Sequence, residues 1–197
     1  MRVPRYANPG EQMDFKSLYT TTDGRISRKT FWISAIVLAV VNIVISLLIL
    51  PLVGLGGPNM AAIMAATNDP AQVSSIVMGA VQSSAWGSLV VLAIFAYPYY
   101  CISVKRRHDK NNNGIDVVIY LALAALLLVV QGLGLGMSVV EVQGMTIPMP
   151  NTVFTVLGAI VGIFGLYLLV VLGFLKGTDG TNPYGPDPLG GTAAVAA

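Results

Sequence analysis

Four long apolar stretches, none containing Asp, Glu, Lys, Arg or His, limit what this chain can fold into. They cover residues 31 to about 56, 86–104, 117 to about 137, and 152–175. Each is long enough to supply the about 20 helical residues that cross a hydrocarbon core. Buried helices of soluble proteins are usually shorter and more mixed. Trp32, Trp86, Tyr99, Tyr100 and Tyr120 lie at or near the segment ends, where amphipathic rings prefer the headgroup level. Composition agrees. Only 10% of residues are charged and 55% are hydrophobic, too few polar groups to coat a globule in water. The expected fold is an all-α integral membrane protein: a four-helix transmembrane bundle over 31–175, preceded by a segment 1–30 and followed by a tail 176–197.

The basic residues predict its orientation. Arg2, Arg5, Lys16, Arg25, Arg28 and Lys29 precede the first span, Lys105, Arg106, Arg107 and Lys110 separate the second from the third, and Lys176 follows the fourth. The other two connections hold only Asp69 and Glu141. Basic residues collect on the cytoplasmic side, so both termini and the central loop are expected there. No cleavable signal peptide is expected, because about thirty mostly polar residues precede a first apolar stretch longer than a signal h-region.

The two outer connections carry local signals. Asn68-Asp69-Pro70 reads as a helix start, with a capping side chain ahead of proline. Val73, Ile76, Val77, Ala80 and Val81 then form a stripe at helical spacing. That stripe is either a short amphipathic helix at the outer surface or an N-terminal extension of the second span. Alternation around Gln143-Gly144 predicts a small hairpin ended by Pro148 and Pro150. The residues after Pro188 are small and uncharged, and are expected to be disordered.

Within the spans, Gly158 and Gly162 form a G-x-x-x-G pair, with Gly165 and Gly173 beyond it. Packing inside the bundle is favoured over dimerisation. Asn42 and Gln131 are expected to hydrogen-bond across helices, worth about 1 kcal/mol or less each. Lone Cys101 excludes an intrachain disulfide and a Cys-based zinc site, and reads as a small buried hydrophobe.

Polar chemistry gathers in three motifs. They are Gly24-Arg25-Ile26-Ser27-Arg28-Lys29-Thr30-Phe31-Trp32, Lys105-Arg106-Arg107-His108-Asp109-Lys110-Asn111-Asn112-Asn113-Gly114, and residues 177–188 with Asn182, Tyr184, Gly185, Asp187 and Pro188. Together, in this order around four spans, they resemble the YhaH-like bacterial inner-membrane proteins, the family of domain of unknown function 805. The family pattern falls on Gly24, Arg25, Arg28, Phe31 and Trp32, then Arg106, His108 and Asp109, then Asn182, Tyr184, Gly185, Asp187 and Pro188. The likeness covers roughly residues 14–188. Lys105 and Arg107 stand where the family usually has Arg and Leu, and Asn111 where it usually has Gly. The resemblance implies a bacterial inner membrane and no established activity.

Read as chemistry, Arg25, Arg28 and Lys29 are placed to meet anionic headgroups, each contact worth about 1 kcal/mol. Asp109-x-Asn111-x-Asn113-Gly114 matches the opening of a calcium loop. Its twelfth position is Tyr120, and basic residues flank it, so a polar turn is the better reading. His108 has no second His or Cys beside it and reads as a hydrogen-bonded loop residue. No metal, cofactor or nucleic-acid site is expected. The three motifs are expected to pack into one polar clasp of Arg25, Arg28, Arg106, His108, Asp109, Asn182, Tyr184 and Asp187. In it, Asp109 lies within salt-bridge reach of Arg25, Arg28 or Arg106, and Tyr184 or Asp187 touches the same group.

The leading functional expectation is a structural or interaction protein whose basic cytoplasmic face contacts anionic phospholipid or a protein partner, with a homo-oligomer as a further candidate. A small transporter or channel subunit is the alternative, weakened by spans without ionisable residues. A membrane enzyme acting on a lipid headgroup, with His108 and Asp109 as acid–base candidates, ranks third, because no nucleophile motif accompanies them.

Overall fold

The computed structural model describes residues 15–55, 60–65, 69–142 and 145–190. The chain is mostly helical: α1 (Phe15–Thr20), α2 (Arg28–Val44), α3 (Met60–Ala65), α4 (Pro70–His108), α5 (Ile115–Gly132) and α6 (Thr152–Leu169). A π turn (Ile45–Ile49) and a 3-10 turn (Pro51–Val53) prolong α2, and a π turn (Val170–Phe174) prolongs α6. Four helical stretches are long and apolar enough to cross a membrane: Arg28–Val53, Ala71–His108, Ile115–Gly132 and Thr152–Phe174. The fold is not purely α, because strands β1 (Met137–Val142) and β2 (Met145–Pro150) form an antiparallel hairpin.

Local chemistry sets these boundaries. The Ser27 hydroxyl accepts the Thr30 N–H at 3.2 Å and opens α2. Left-handed Gly54 (φ 73°) closes the helical stretch after Pro51. Asp69 Oδ1 accepts the N–H groups of Ala71 and Gln72 at 3.1 and 3.2 Å, with Pro70 in the first turn of α4. That helix then runs unbroken to His108. Of the two readings of the apolar stripe, the extension of the second span therefore holds. Its 39 residues make a rod of about 58 Å, far longer than the about 30 Å of a hydrocarbon core. α5 stops at Gly132, short of Met137, because left-handed Gly134 (φ 74°) turns the chain into β1.

The chain divides into two compact units: residues 1–39, 95–120 and 165–197, and residues 40–94 and 121–164. In the second unit, Gly87 lies against Leu50 and Leu55, Gly132 under the Trp86 ring and Gly136 under the Phe154 ring, each with no room for a Cβ. Gly158 and Gly162 meet no neighbour among the described residues, so the expected internal packing of the G-x-x-x-G pair is not seen there. The glycines of this helical stretch that meet another helix lie further along, in the first unit, with Gly165 against Tyr120 and Gly173 against Trp32. Asn42 accepts a hydrogen bond from Ser46, one turn on in the same helical stretch, at 3.3 Å, rather than one across helices. The hairpin pairs Val142 with Met145 and Val139 with Pro148. Pro148 thus lies inside β2 instead of ending it, and Gln143-Gly144 falls outside the described residues. So do residues 191–197, where most of the expected disorder was placed.

Candidate functional site: a buried ion cluster

The first unit is built around the end of α4. Its last turn hands the chain to a polar turn in which Asn111 adopts φ 54°, a left-handed conformation that Asn tolerates. Asn112 Oδ1 accepts the Gly114 N–H at 2.9 Å, and Asn113 Oδ1 accepts the Ile115 N–H at 3.1 Å, opening α5. Of these two, Asn113 holds a ligand position of the calcium-loop pattern. Its amide oxygen here orders main chain, and Asp109 is committed elsewhere. Among the described residues, no three of His, Cys, Asp and Glu converge as a metal site.

Asp109 is 3% exposed, between Arg25 at 7% and Arg106 at 1%, so all three ionic groups are removed from water. Its Oδ1 accepts Nε and Nη2 of Arg25 at 3.1 and 2.9 Å. Its Oδ2 pairs with Nη1 of Arg106. Two guanidiniums against one carboxylate leave an uncompensated positive charge, and main-chain carbonyls absorb it. Arg106 donates from Nε to Leu172 O at 2.9 Å and from Nη2 to Leu175 O, the unpaired negative end of the α6 stretch. Arg25 donates to the carbonyls of Thr178, Gly180 and Gly185 at 2.6, 2.6 and 3.1 Å. A side chain at Gly177 would overlap the Asp109 carboxylate. Glycine is required there.

The tail closes over this pair. The Thr178 N–H and hydroxyl donate to Asp109 O at 2.8 and 3.0 Å, and Asn182 Nδ2 donates to His108 O at 2.9 Å. Tyr184 stacks on His108 with ring centroids 3.9 Å apart, while His108 Nδ1 lies 3.2 Å from Gly24 O. Asp187 accepts N–H groups from Leu189 and Gly180 at 2.9 and 3.1 Å. Those bonds, with the Leu189 N–H contributing most, and the more distant charge of Arg25 hold its carboxyl below the usual carboxylate range.

The expected clasp residues thus come together with two differences. Arg28 does not reach Asp109. It is exposed and donates to Phe174 O at 3.1 Å, beside Trp32, whose indole N–H reaches Gly173 O. Arg25 does not face headgroups, because Gly24 at φ 87° turns the chain so that the arginine points into the cluster. Tyr184 and Asp187 touch the same assembly through His108 and Gly180 rather than through the ion pair itself.

Sequence reasoning missed three further polar anchors. Buried Lys105 donates from Nζ to Ser17 O and Leu18 O, at the end of α1. Arg107 pairs with Asp116 at 2.9 Å, and Tyr167 adds its hydroxyl to that carboxylate at 3.4 Å. Thr178 bridges the tail to Asp109. One signal was available: consecutive helical residues point about 100° apart, so Lys105, Arg106 and Arg107 cannot share one partner. Lys110 is partly covered and sits near Arg106 and Arg107. Burial first, and their repulsion second, push its ammonium pKa down. A shallow cleft remains between Ser27, Arg28, Lys176 and Asp187. Chemically, the cluster fixes main chain and holds three chain segments together. Both Asp109 oxygens already take guanidinium N–H groups.

Four helices long and apolar enough to span a membrane, with polar groups concentrated in one unit, have the make-up of a multi-pass membrane protein. The family model described as protein of unknown function DUF805 matches residues 19–186, and the chain belongs to that family. No curated protein and no solved structure matches it.

Proposed function

We propose that this chain is a multi-pass protein of the bacterial inner membrane, with both termini in the cytoplasm. Its role in this reading is structural or interactive, and exposed cations around the clasp contact anionic phospholipid headgroups. Charge placement carries the orientation. The described part of the first unit contains Lys16, Arg25, Arg28, Lys29, Lys105, Arg106, Arg107, Lys110 and Lys176, whereas the second unit has Asp69, Glu141 and no Lys or Arg. Basic residues stay on the cytoplasmic side. Burial divides the work among the cations. Arg25, Lys105, Arg106 and Arg107 are buried, whereas Arg28, Lys29 and Lys176 are exposed. Each exposed cation is worth about 1 kcal/mol beside an anionic surface.

Reporter fusions at Lys16, Asp69, Asn112, Glu141 and Thr192 should read in, out, in, out, in. An outside signal at Asn112 would overturn the topology. For the lipid contact, native mass spectrometry of protein extracted with its lipids should show anionic species retained over zwitterionic ones. Arg28→Gln with Lys29→Gln should reduce that preference. Retention indifferent to headgroup charge would favour a protein partner over lipid.

A further inference from the structure

The β1–β2 hairpin has two unlike edges. Its register joins Val142 to Met145 across a two-residue connection, and the closing pair of such a hairpin exchanges both main-chain hydrogen bonds. Bonded and non-bonded pairs then alternate. Val140 with Ile147 and Ser138 with Met149 are bonded, while Val139 with Pro148 and Met137 with Pro150 are not. The prolines fit only this phase, since proline has no N–H to give. At non-bonded positions the main-chain polar groups point away from the partner strand. The outer edge of β2 therefore carries Pro148 and Pro150, residues that blunt an edge against strand addition. The outer edge of β1 presents Met137, Val139 and Glu141, with no proline or lysine. Residues 138–141 are exposed, and the sheet has no third strand among the described residues. The Met137 N–H is already turned to Gly134 O at 3.4 Å, which leaves Val139 and Glu141 as donors.

We infer that this open edge pairs antiparallel with the same edge of a second copy of the chain. The strand is self-complementary about Val139. Centred there, Val139 of each copy exchanges two hydrogen bonds with its counterpart, and each Glu141 N–H reaches the Met137 carbonyl of the other copy. Ser138 faces Val140. The charged side chain lies opposite a methionine, so the two Glu141 carboxylates are not set against each other, an arrangement that would be unfavourable. The result is a four-stranded antiparallel ribbon with two-fold symmetry, ending on both sides in proline-blunted strands. A contact of six-residue strands buries well under the about 1,000 Å² of a stable soluble interface. The pairing therefore rests on the membrane reading above, which confines copies to one bilayer with the same orientation and raises their effective concentration.

Cysteine crosslinking in native membranes tests it. Val139→Cys should give a disulfide-linked dimer under mild oxidation, while wild type, with Cys101 fully buried, should give none. Met149→Cys should crosslink at least about tenfold more slowly, since three strand spacings, about 14 Å, exceed disulfide reach. Val139→Pro removes an outward N–H and leaves the hairpin's own bonds intact, so subunit counting in nanodiscs should fall from two to one. The pairing is wrong if Val139→Pro stays dimeric, if Met149→Cys links as fast as Val139→Cys, or if Val139→Cys links to a different protein. Membrane fractionation of the same samples separates the two ideas: chain that sediments with membranes yet never crosslinks sinks the strand pairing alone.

Discussion

The two units of this molecule are held together by opposite means. The first, which contains all the described lysines and arginines, is locked by buried ions and the carbonyls they collect. The second has no cations to spare and relies on glycines seated beneath Trp86 and Phe154 and against Leu55. A desolvated ion network fixes each residue's identity, because a missing partner leaves a charge stranded. Steric seating fixes size alone. The two kinds of unit should therefore fail differently under substitution.

The largest effect belongs to the carboxylate that two arginines share. Asp109→Ala strands both guanidiniums, a loss of about 3–5 kcal/mol for a broken buried pair, visible as a large drop in melting temperature in detergent. A variant as stable as wild type would break the contrast. Gly132→Leu in the second unit should cost about 1–3 kcal/mol through overpacking against Trp86, and a compensating Trp86→Ala should recover part of it. No recovery would show that the contact is not steric. Arg25→Lys keeps the charge and loses the fork to Asp109 and the tail. At about 1.5–3 kcal/mol for hydrogen bonds to charged groups, it should fall near the steric variant, and hydrogen exchange in 177–190 should rise.

A smaller effect concerns acid. The Asp187 carboxyl is held below its usual 3.8 in the folded chain, so its contribution is present above that value and lost as pH falls through the depressed one. Asp187→Asn should reduce the loss of stability in that range, and an unchanged acid profile would remove Asp187 from the clasp. Smallest of all, Gly158→Ala and Gly162→Ala meet open space and should cost nothing measurable. A clear loss from either would show that those faces are occupied.

Much of this could be read from the residues. The four long apolar helices were legible because uncharged runs of that length leave few alternatives. The start of α4 was legible in Asp69-Pro70, but its continuity was not. Hydropathy falls across 70–85, and a helix does not end where hydrophobicity does. The meeting of Asp109 with Arg25 and Arg106 followed from complementary charges in the polar motifs that flank the long apolar helices. Its carbonyl partners did not, since main chain carries no residue signature. The spacing of Gly158 and Gly162 announced a small face without saying what it faces. The pairing of the two strands was readable from their alternation, whereas Pro148 misled. A proline ends a strand only where its N–H is needed.

Arg25 donates to Thr178 across a sequence separation of 153 positions, and this dates the clasp within synthesis. The arginine leaves the ribosome before the first long apolar helix, and its carbonyl partners emerge only after the fourth. Until then Arg25 and Arg106 lack the oxygens that neutralise their surplus charge. A chain released early keeps them waiting. The closed cluster is therefore a record, written in one guanidinium, that translation has passed Gly185.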